Sequence, residues 1–393
     1  MSRKNLLGIL LSVAIVAMFF SPVSGAAPEP YLVGASISVT GPGSEPLAPI
    51  KDALDIYFKD VNAKGGINGH PVKILIEDSM NEPSRAATQA RQLVTQNKVS
   101  LLILAGLSSL YAPVVQIAEQ YNVPLLIMGV CPPEVYPPKA DPNQFCSTAF
   151  GIKFDSSFAV PFIYEQSKGT ALKLALEAMN VPLSRNEIDW AEQLAKNMGI
   201  DVVDKEVTPP PTADFTPFAT KMKSSGATWV YSYGPWGMEV RTFEALRKLG
   251  WKGKYLAYGH IQAEDELKRL KDDDFYVYGT NAYFTDNTQA HQRIKAMAEK
   301  EKTLYPYTQL TDGWIGAMAI EEVLKKVSWP ATADKVRESM NQLKLETHGL
   351  KGGPLVWTKT NHYRTTGYYR AYKWDSKKNG VVIAKDWTAI EVK

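Results

Sequence analysis

The chain has 393 residues, of which 45% are hydrophobic and 22% charged. That length and balance suit a globular protein of two ordinary domains, each with a core of its own. The formal net charge is +3, and Arg3 and Lys4 supply two of those charges, leaving +1. A nearly neutral chain gives no electrostatic argument for nucleic acid or an anionic membrane surface as partner.

In chain order, residues 1–26 read as a secretory signal. Arg3 and Lys4 form a basic start, and residues 6–20 are an apolar run too short for a comfortable membrane span. Ser24, Gly25 and Ala26 offer small residues for cleavage, which sets the expected mature start near Ala27. The alternative is an uncleaved anchor. No cysteine follows the apolar run, which argues against a lipid-anchored form.

Strands are then expected near 31–37, 72–76, 99–105 and 124–128, with helices near 46–63, 84–97 and 109–121 between them. This alternation means a parallel sheet covered on both faces. The first helix repeats apolar residues at Leu47, Ile50, Leu54, Tyr57, Phe58 and Val61, a helical spacing. Gly65 and Gly66 stop it, because glycine accepts a left-handed cap. Val72 to Ile76 is a short buried strand in pattern, and Pro83 suits the first turn of the next helix.

The two cysteines, Cys131 and Cys146, flank a proline-rich loop. In an exported chain they are expected to pair, closing a loop of about 15 residues for roughly 3 kcal/mol. Two free buried thiols are the alternative.

A second series of strands follows near 171–178, 201–206, 227–232, 254–257 and 275–283. Helices fall near 156–168, 185–198, 214–224, 237–249 and 263–270. Ser184 and Glu187 have the spacing of a capping box. Long helices follow at 289–303 and 311–327, the latter with an apolar stripe at Ile315, Met318, Ala319 and Val323. From Gly352 the chain reads as short strands rich in aromatic residues.

The run from Val61 through Gly65, Gly66, Asp78 and Pro83 resembles the opening unit of the branched-chain amino-acid-binding (Leu/Ile/Val-binding-like) family, the type I periplasmic solute-binding proteins of ABC importers. The similarity extends to the turn at Ser108 and Ser109, the segment from Phe150 to Ser157, the strand and helix from Tyr231 to Trp251, and the triplet Asn361, His362, Tyr363. The resemblance implies an α/β fold of two Rossmann-like lobes with parallel sheets, joined by a hinge of three crossings near 151, 281 and 354. Lobe 1 would be 30–151 plus 282–353, and lobe 2 would be 152–281 plus 354–393. It further implies a monomeric periplasmic receptor that binds a small solute in the cleft by hinge closure. A membrane permease and ATPase subunits would be its partners, with no cofactor.

Ligands of parallel sheets bind beyond the carboxyl ends of the strands. The loop Gly106, Leu107, Ser108, Ser109 is one such place. Hydroxyls and N–H groups at a helix start suit an anion, although serine there commonly only caps the helix. Ser108 matches the family serine that hydrogen-bonds a ligand carboxylate. Val130 lies in the next loop.

The family's ammonium-clamping threonine and glutamate fall near Cys131 and Gly259, and neither residue can hold a cation. A free amino acid is therefore a poor fit unless Glu45 or Asp155 supplies charge. Glu45 reads as a solvated loop residue and Asp155 as an N-cap. The other loops are aromatic: Tyr233 and Trp236, Tyr258 and His260, with Phe150 and Tyr283 at the crossings. Aromatic faces with polar tips suit a flat apolar body. The fitting ligand is thus a small carboxylate, best an aromatic acid.

No nucleophile elbow, phosphate loop or dinucleotide fingerprint occurs, and the five histidines show no metal-ligand spacing. Catalysis and a bound metal are not expected. A sensing module without transport is the other class of reading.

Overall fold

The computed structural model describes residues 28–148, 150–259 and 263–393. The expected signal segment, the start near Ala27 and His260 lie outside the described residues.

Two sheets organise the molecule. The first is five-stranded and parallel, in order β2-β1-β3-β4-β5, from β1 (Tyr31–Ile37), β2 (Val72–Asp78), β3 (Leu101–Ala105), β4 (Leu125–Ile127) and β5 (Gln144–Cys146). Every residue of β3 is buried, as its unbroken run of leucine, isoleucine and alanine requires. Helices cover both faces. Ala48–Ala63 packs its Ile50, Leu54 and Tyr57 against the late helix Thr311–Lys325, whose Trp314 ring meets Tyr57 edge-on at 4.9 Å. The late helices Gln289–Glu301 and Ala333–Met340 join the same core through Ile294 and Val336. The core beside the first sheet is therefore built from two stretches of chain.

The second sheet has seven strands in order β14-β13-β10-β9-β8-β6-β7. Five are parallel: β6 (Lys173–Met179), β7 (Asp201–Thr208), β8 (Trp229–Tyr233), β9 (Lys254–Tyr258) and β10 (Phe275–Gly279). The last two, β13 (Thr366–Asp375) and β14 (Gly380–Glu391), add antiparallel to β10. The short strands expected after Gly352 appear only as the two-residue β12 (Leu355–Val356), which pairs with β11 (Lys344–Leu345); from Thr366 the aromatic end is one long hairpin. Its register shifts between Tyr369, Ala371 and Tyr372. Such a bulge breaks the period-two alternation that would mark a continuous strand.

The capping box at Ser184 and Glu187 is a second correction. The helix runs Pro182–Asn197, with Val181 extended before it and Ser184 already inside. Proline presets the first helical turn, so the start moves upstream. Asp155 also differs from its expected place: it lies within the helix Phe154–Gln166 and reaches back to the Gly151 N–H at 3.0 Å.

Cys131 and Cys146 form a disulfide and tie the loop after β4 to β5. Asp78 ends β2 and holds the loop after β1. Its carboxylate accepts from Val39 N–H, Thr40 N–H, the Thr40 hydroxyl and Met80 N–H at 2.6–3.2 Å. Burial would raise its pKa, but these bonds outweigh it and hold the carboxyl below its usual value.

Gly65 and Gly66 both have positive φ, +100° and +74°. A side chain at Gly65 meets nothing within 4 Å, whereas a Cβ at Gly66 would lie 2.1 Å from the His70 carbonyl oxygen. Gly65→Ala should cost about 1 kcal/mol from backbone strain, and Gly66→Ala at least about 2 kcal/mol. Urea denaturation of both variants tests this; equal losses would refute the close-approach account.

Candidate functional site

A cavity lined by residues of both lobes lies between the two sheets. One wall comes from loops past β3 and β4: Gly106, Leu107 and Ser108, then Met128, Gly129 and Val130. Tyr111 and Ile50 reach in from helices, and Thr148 and Phe150 from the first crossing. The other wall is Val181, Leu183 and Ser184 at a helix start, Tyr233, Gly234 and Pro235 past β8, and Tyr258 at the end of β9. Asp312 closes the lining and is its one charged residue among the described residues.

Ser108 touches the opposite wall. Its hydroxyl oxygen accepts from the Leu183 N–H at 3.1 Å. That N–H belongs to the first turn of Pro182–Asn197 and has no partner within its own helix. A serine of one lobe thus caps a helix of the other, and its hydroxyl hydrogen remains to donate. The loop carrying it is fixed by Asn81, whose side-chain oxygen accepts from Leu107 N–H at 2.9 Å and from the Ser38 hydroxyl at 2.6 Å.

Several other polar tips are engaged. Tyr111 OH donates to the Val130 carbonyl at 2.9 Å, Thr148 OH to the Gly129 carbonyl at 2.5 Å, and Tyr233 OH to Asp155 at 2.6 Å. Burial pushes the Tyr111 and Tyr233 pKa values up, so both phenols stay protonated. The Phe150 and Tyr258 rings pack edge-to-face at 4.2 Å, and Tyr233 and Tyr258 lie 4.3 Å apart. The result is an aromatic floor held in place from behind.

Asp155 provides that support. It is fully buried and also accepts from Tyr369 OH at 2.8 Å. Burial raises its pKa to about 7 against the pull of its hydrogen bonds. Glu187, buried nearby, accepts from Lys153 N–H at 2.7 Å and is pushed up by burial and by the Asp155 charge. Glu239 accepts from Tyr258 N–H at 2.8 Å and so fixes the end of β9.

The structure brings Leu107, Ser108, Val130, Phe150, Tyr233 and Tyr258 together around the cavity. Ser109 sits in the same one-turn helix as Ser108, outside the lining. Trp236 begins the helix Trp236–Lys248 and packs on the core of the second sheet. Tyr283 stacks on Tyr372 at 3.8 Å and lines a separate small cavity with Gly259 and Glu264. Asp155 stands behind Tyr233, and Glu45 is exposed at a shallow groove beside Arg241. Cys131 is buried in its disulfide. At Gly259 a Cβ would fall 2.0 Å from the Tyr278 carbonyl oxygen, so no side chain fits there. Sequence reasoning missed Thr148, Tyr111, Leu183 and Asp312. The one signal for Asp312 was its place just before an apolar helical stripe.

A family model for periplasmic binding proteins matches residues 30–379. The chain belongs to the periplasmic binding protein family. It is 25% identical over 386 residues to Leu/Ile/Val-binding protein homolog 1 of Brucella abortus, covering 96% of this chain and 98% of that one. Its fold matches a branched-chain amino acid ABC transporter protein of Thermus thermophilus with bound valine, at TM-score 0.77 and 15% identity over 92% of this chain and 96% of that one. It also matches an ABC transporter solute-binding protein of Rhodopseudomonas palustris in complex with 3,4-dihydroxybenzoic acid, at TM-score 0.75 and 18% identity over 92% and 97%. Two α/β lobes around a cleft are thus the type I periplasmic binding protein fold, and family and fold are those of ABC-transporter substrate-binding proteins. No helix among the described residues is long and apolar enough to cross a membrane.

Behind the cleft, Lys351 is fully buried and donates to the Asn281 side-chain oxygen at 2.5 Å. Burial lowers its pKa to about 7, opposed by the Asp312 charge and assisted by Arg364. The unfolded chain keeps this proton to about pH 10.4. Folding therefore expels a proton between these values, and this group makes stability rise with pH from about 7 upward. Thermal melting of the native chain and Lys351→Met across pH 7–9 checks it: the variant should lack that rise, and parallel curves would refute it.

Proposed function

We propose that this chain is an extracytoplasmic receptor that captures a small carboxylate by hinge closure and delivers it to the permease and ATPase subunits of an ABC importer. The best-fitting ligand is an aromatic acid. The observation that carries this reading is the Ser108 hydroxyl, placed at a helix start and facing the aromatic floor of Phe150, Tyr233 and Tyr258. A carboxylate accepts a hydrogen bond from the hydroxyl, and the ring lies on the floor. Binding is noncatalytic and uses no cofactor. The working unit is a monomer.

The lobes we assign are 30–151 plus 282–353 and 152–281 plus 354–393, with crossings near 151, 281 and 354. The late helices on the first core and the hairpin on the second sheet support this division. Residues 1–26 act as a cleaved signal with a mature start near Ala27, which places the receptor in the periplasm. The dihydroxybenzoic acid complex of the R. palustris protein supports the aromatic ligand class.

A branched-chain amino acid is the second reading, favoured by the Asp312 carboxylate in the lining and by the valine complex of the T. thermophilus protein. Titration calorimetry with benzoate- and cinnamate-type acids against leucine and valine separates the two. Benzoate-type acids should bind and leucine should not; tight leucine binding overturns the aromatic reading. Ser108→Ala should weaken the bound carboxylate by about 1–2 kcal/mol, and unchanged affinity would remove the anion site.

A further inference from the structure

Asp312 is the one carboxylate in the lining among the described residues. It stands in the first turn of Thr311–Lys325, at the hinge side of the cavity. One oxygen accepts from the Asn281 side-chain N–H at 2.7 Å, which fixes its orientation. Asn281 belongs to the segment after β10, and its backbone bridges to Lys351. The same Asn281 side chain accepts from the Lys351 ammonium at 2.5 Å. Asn281 thus stands between a buried cation and the cavity carboxylate.

We infer that Asp312 is the specificity-determining acceptor of the cleft, and that it selects a carboxylate ligand bearing an uncharged hydrogen-bond donor, such as a phenolic hydroxyl, at the end away from the acid group. This deepens the carboxylate reading above and rests on it.

Three features carry the assignment. A carboxylate facing an otherwise apolar and aromatic cavity needs a donor when the cleft is dry. Only one Asp312 oxygen is answered by Asn281, so the other is available to a ligand. The charge, by contrast, is already partly countered, since Lys351 lies one hydrogen-bonded side chain away through Asn281. Lys351 and Arg364 are both fully buried and both feel Asp312 as an attractive charge. A ligand ammonium would bring a further cation towards these two, whereas a hydroxyl brings a donor and no charge. The like charge of Asp312 also orients the ligand. The acid group goes to Ser108 and the donor to Asp312, beside Tyr258, which senses the Asp312 charge.

The alternative is that Asp312 serves only to balance Lys351. Calorimetry with two matched pairs decides between them: 4-hydroxybenzoate with benzoate, and leucine with 4-methylpentanoate. The first pair differs by one uncharged hydroxyl donor, the second by a charged α-ammonium group. The native chain should prefer 4-hydroxybenzoate to benzoate by about tenfold or more, as expected for a hydrogen bond to a charged group. Asp312→Ala should bring that ratio to about one. The double variant Asp312→Ala with Lys351→Met removes the balanced cation too, and it gives the same ratio if the single variant does not fold.

An unchanged ratio in a folded variant overturns the Asp312 assignment and leaves the aromatic reading standing. Binding of leucine over 4-methylpentanoate, with no aromatic acid bound, overturns both the uncharged-donor assignment and the aromatic reading. Failure of all four acids to bind the native chain counts against both as well.

Discussion

The buried carboxylate of Asp155 is the joint on which the cleft depends. It accepts from Gly151 N–H on the first crossing, Tyr233 OH at the end of β8 and Tyr369 OH on β13. One side chain therefore ties the crossing, the cavity floor and the C-terminal hairpin. Burying an ionised carboxylate is costly, and its pKa rises to about 7 as a result. Three donors limit that cost. Losing one phenol would leave the group under-satisfied in a dry interior, which costs more than the bond itself contributes. The aromatic residues of the floor are thus held by polar atoms hidden beneath them. Phe158 and Tyr278 extend the same packed cluster into the second sheet.

Closure has its own polar contact. Ser108 and Leu183 belong to opposite walls of the cavity, and their hydrogen bond fills the orphaned first turn of Pro182–Asn197. A ligand carboxylate at Ser108 would accept a hydrogen bond from the hydroxyl, while the Ser108 oxygen accepts from Leu183 N–H. Polarisation along such a chain strengthens both bonds. In the receptor we propose, ligand binding and closure would be linked through this one hydroxyl, the differential contact needed to shift towards a closed form.

Much of the frame was legible in the sequence because local and global signals agreed. The β3 run, the glycines at 65 and 66 and the prolines opening helices each declare their element locally. The disulfide followed from two cysteines in a chain that reads as exported. What was not legible depended on packing at a distance. Asp312 looks like the polar edge of a helix whose stripe is core, and only the fold brings it to the cavity. The Ser184 and Glu187 spacing fits a cap, but Pro182 starts the helix earlier and Glu187 is drawn inward to Lys153 N–H. The bulge in β13 hid a long hairpin behind irregular alternation. Trp236 follows a strand end, as a cleft residue would, yet helix geometry turns it towards the core of the second sheet.

These differences share a physical origin. The opening unit is shaped by backbone constraints: a positive φ at Gly66, a close approach to His70, and the Asp78 bonds to three backbone N–H groups. Few side chains satisfy such constraints, so the residues announce them. The cleft is shaped by side chains from distant segments that only the fold brings together. At Gly259 the Tyr278 carbonyl excludes any side chain, and at Cys131 the sulfur is committed to a disulfide. With both positions closed, the polar recognition inferred for this cavity falls to Asp312, which stands on a different helix and is held by Asn281, itself an acceptor for Lys351. A polar anchor can thus move across the cleft while the frame around it stays the same.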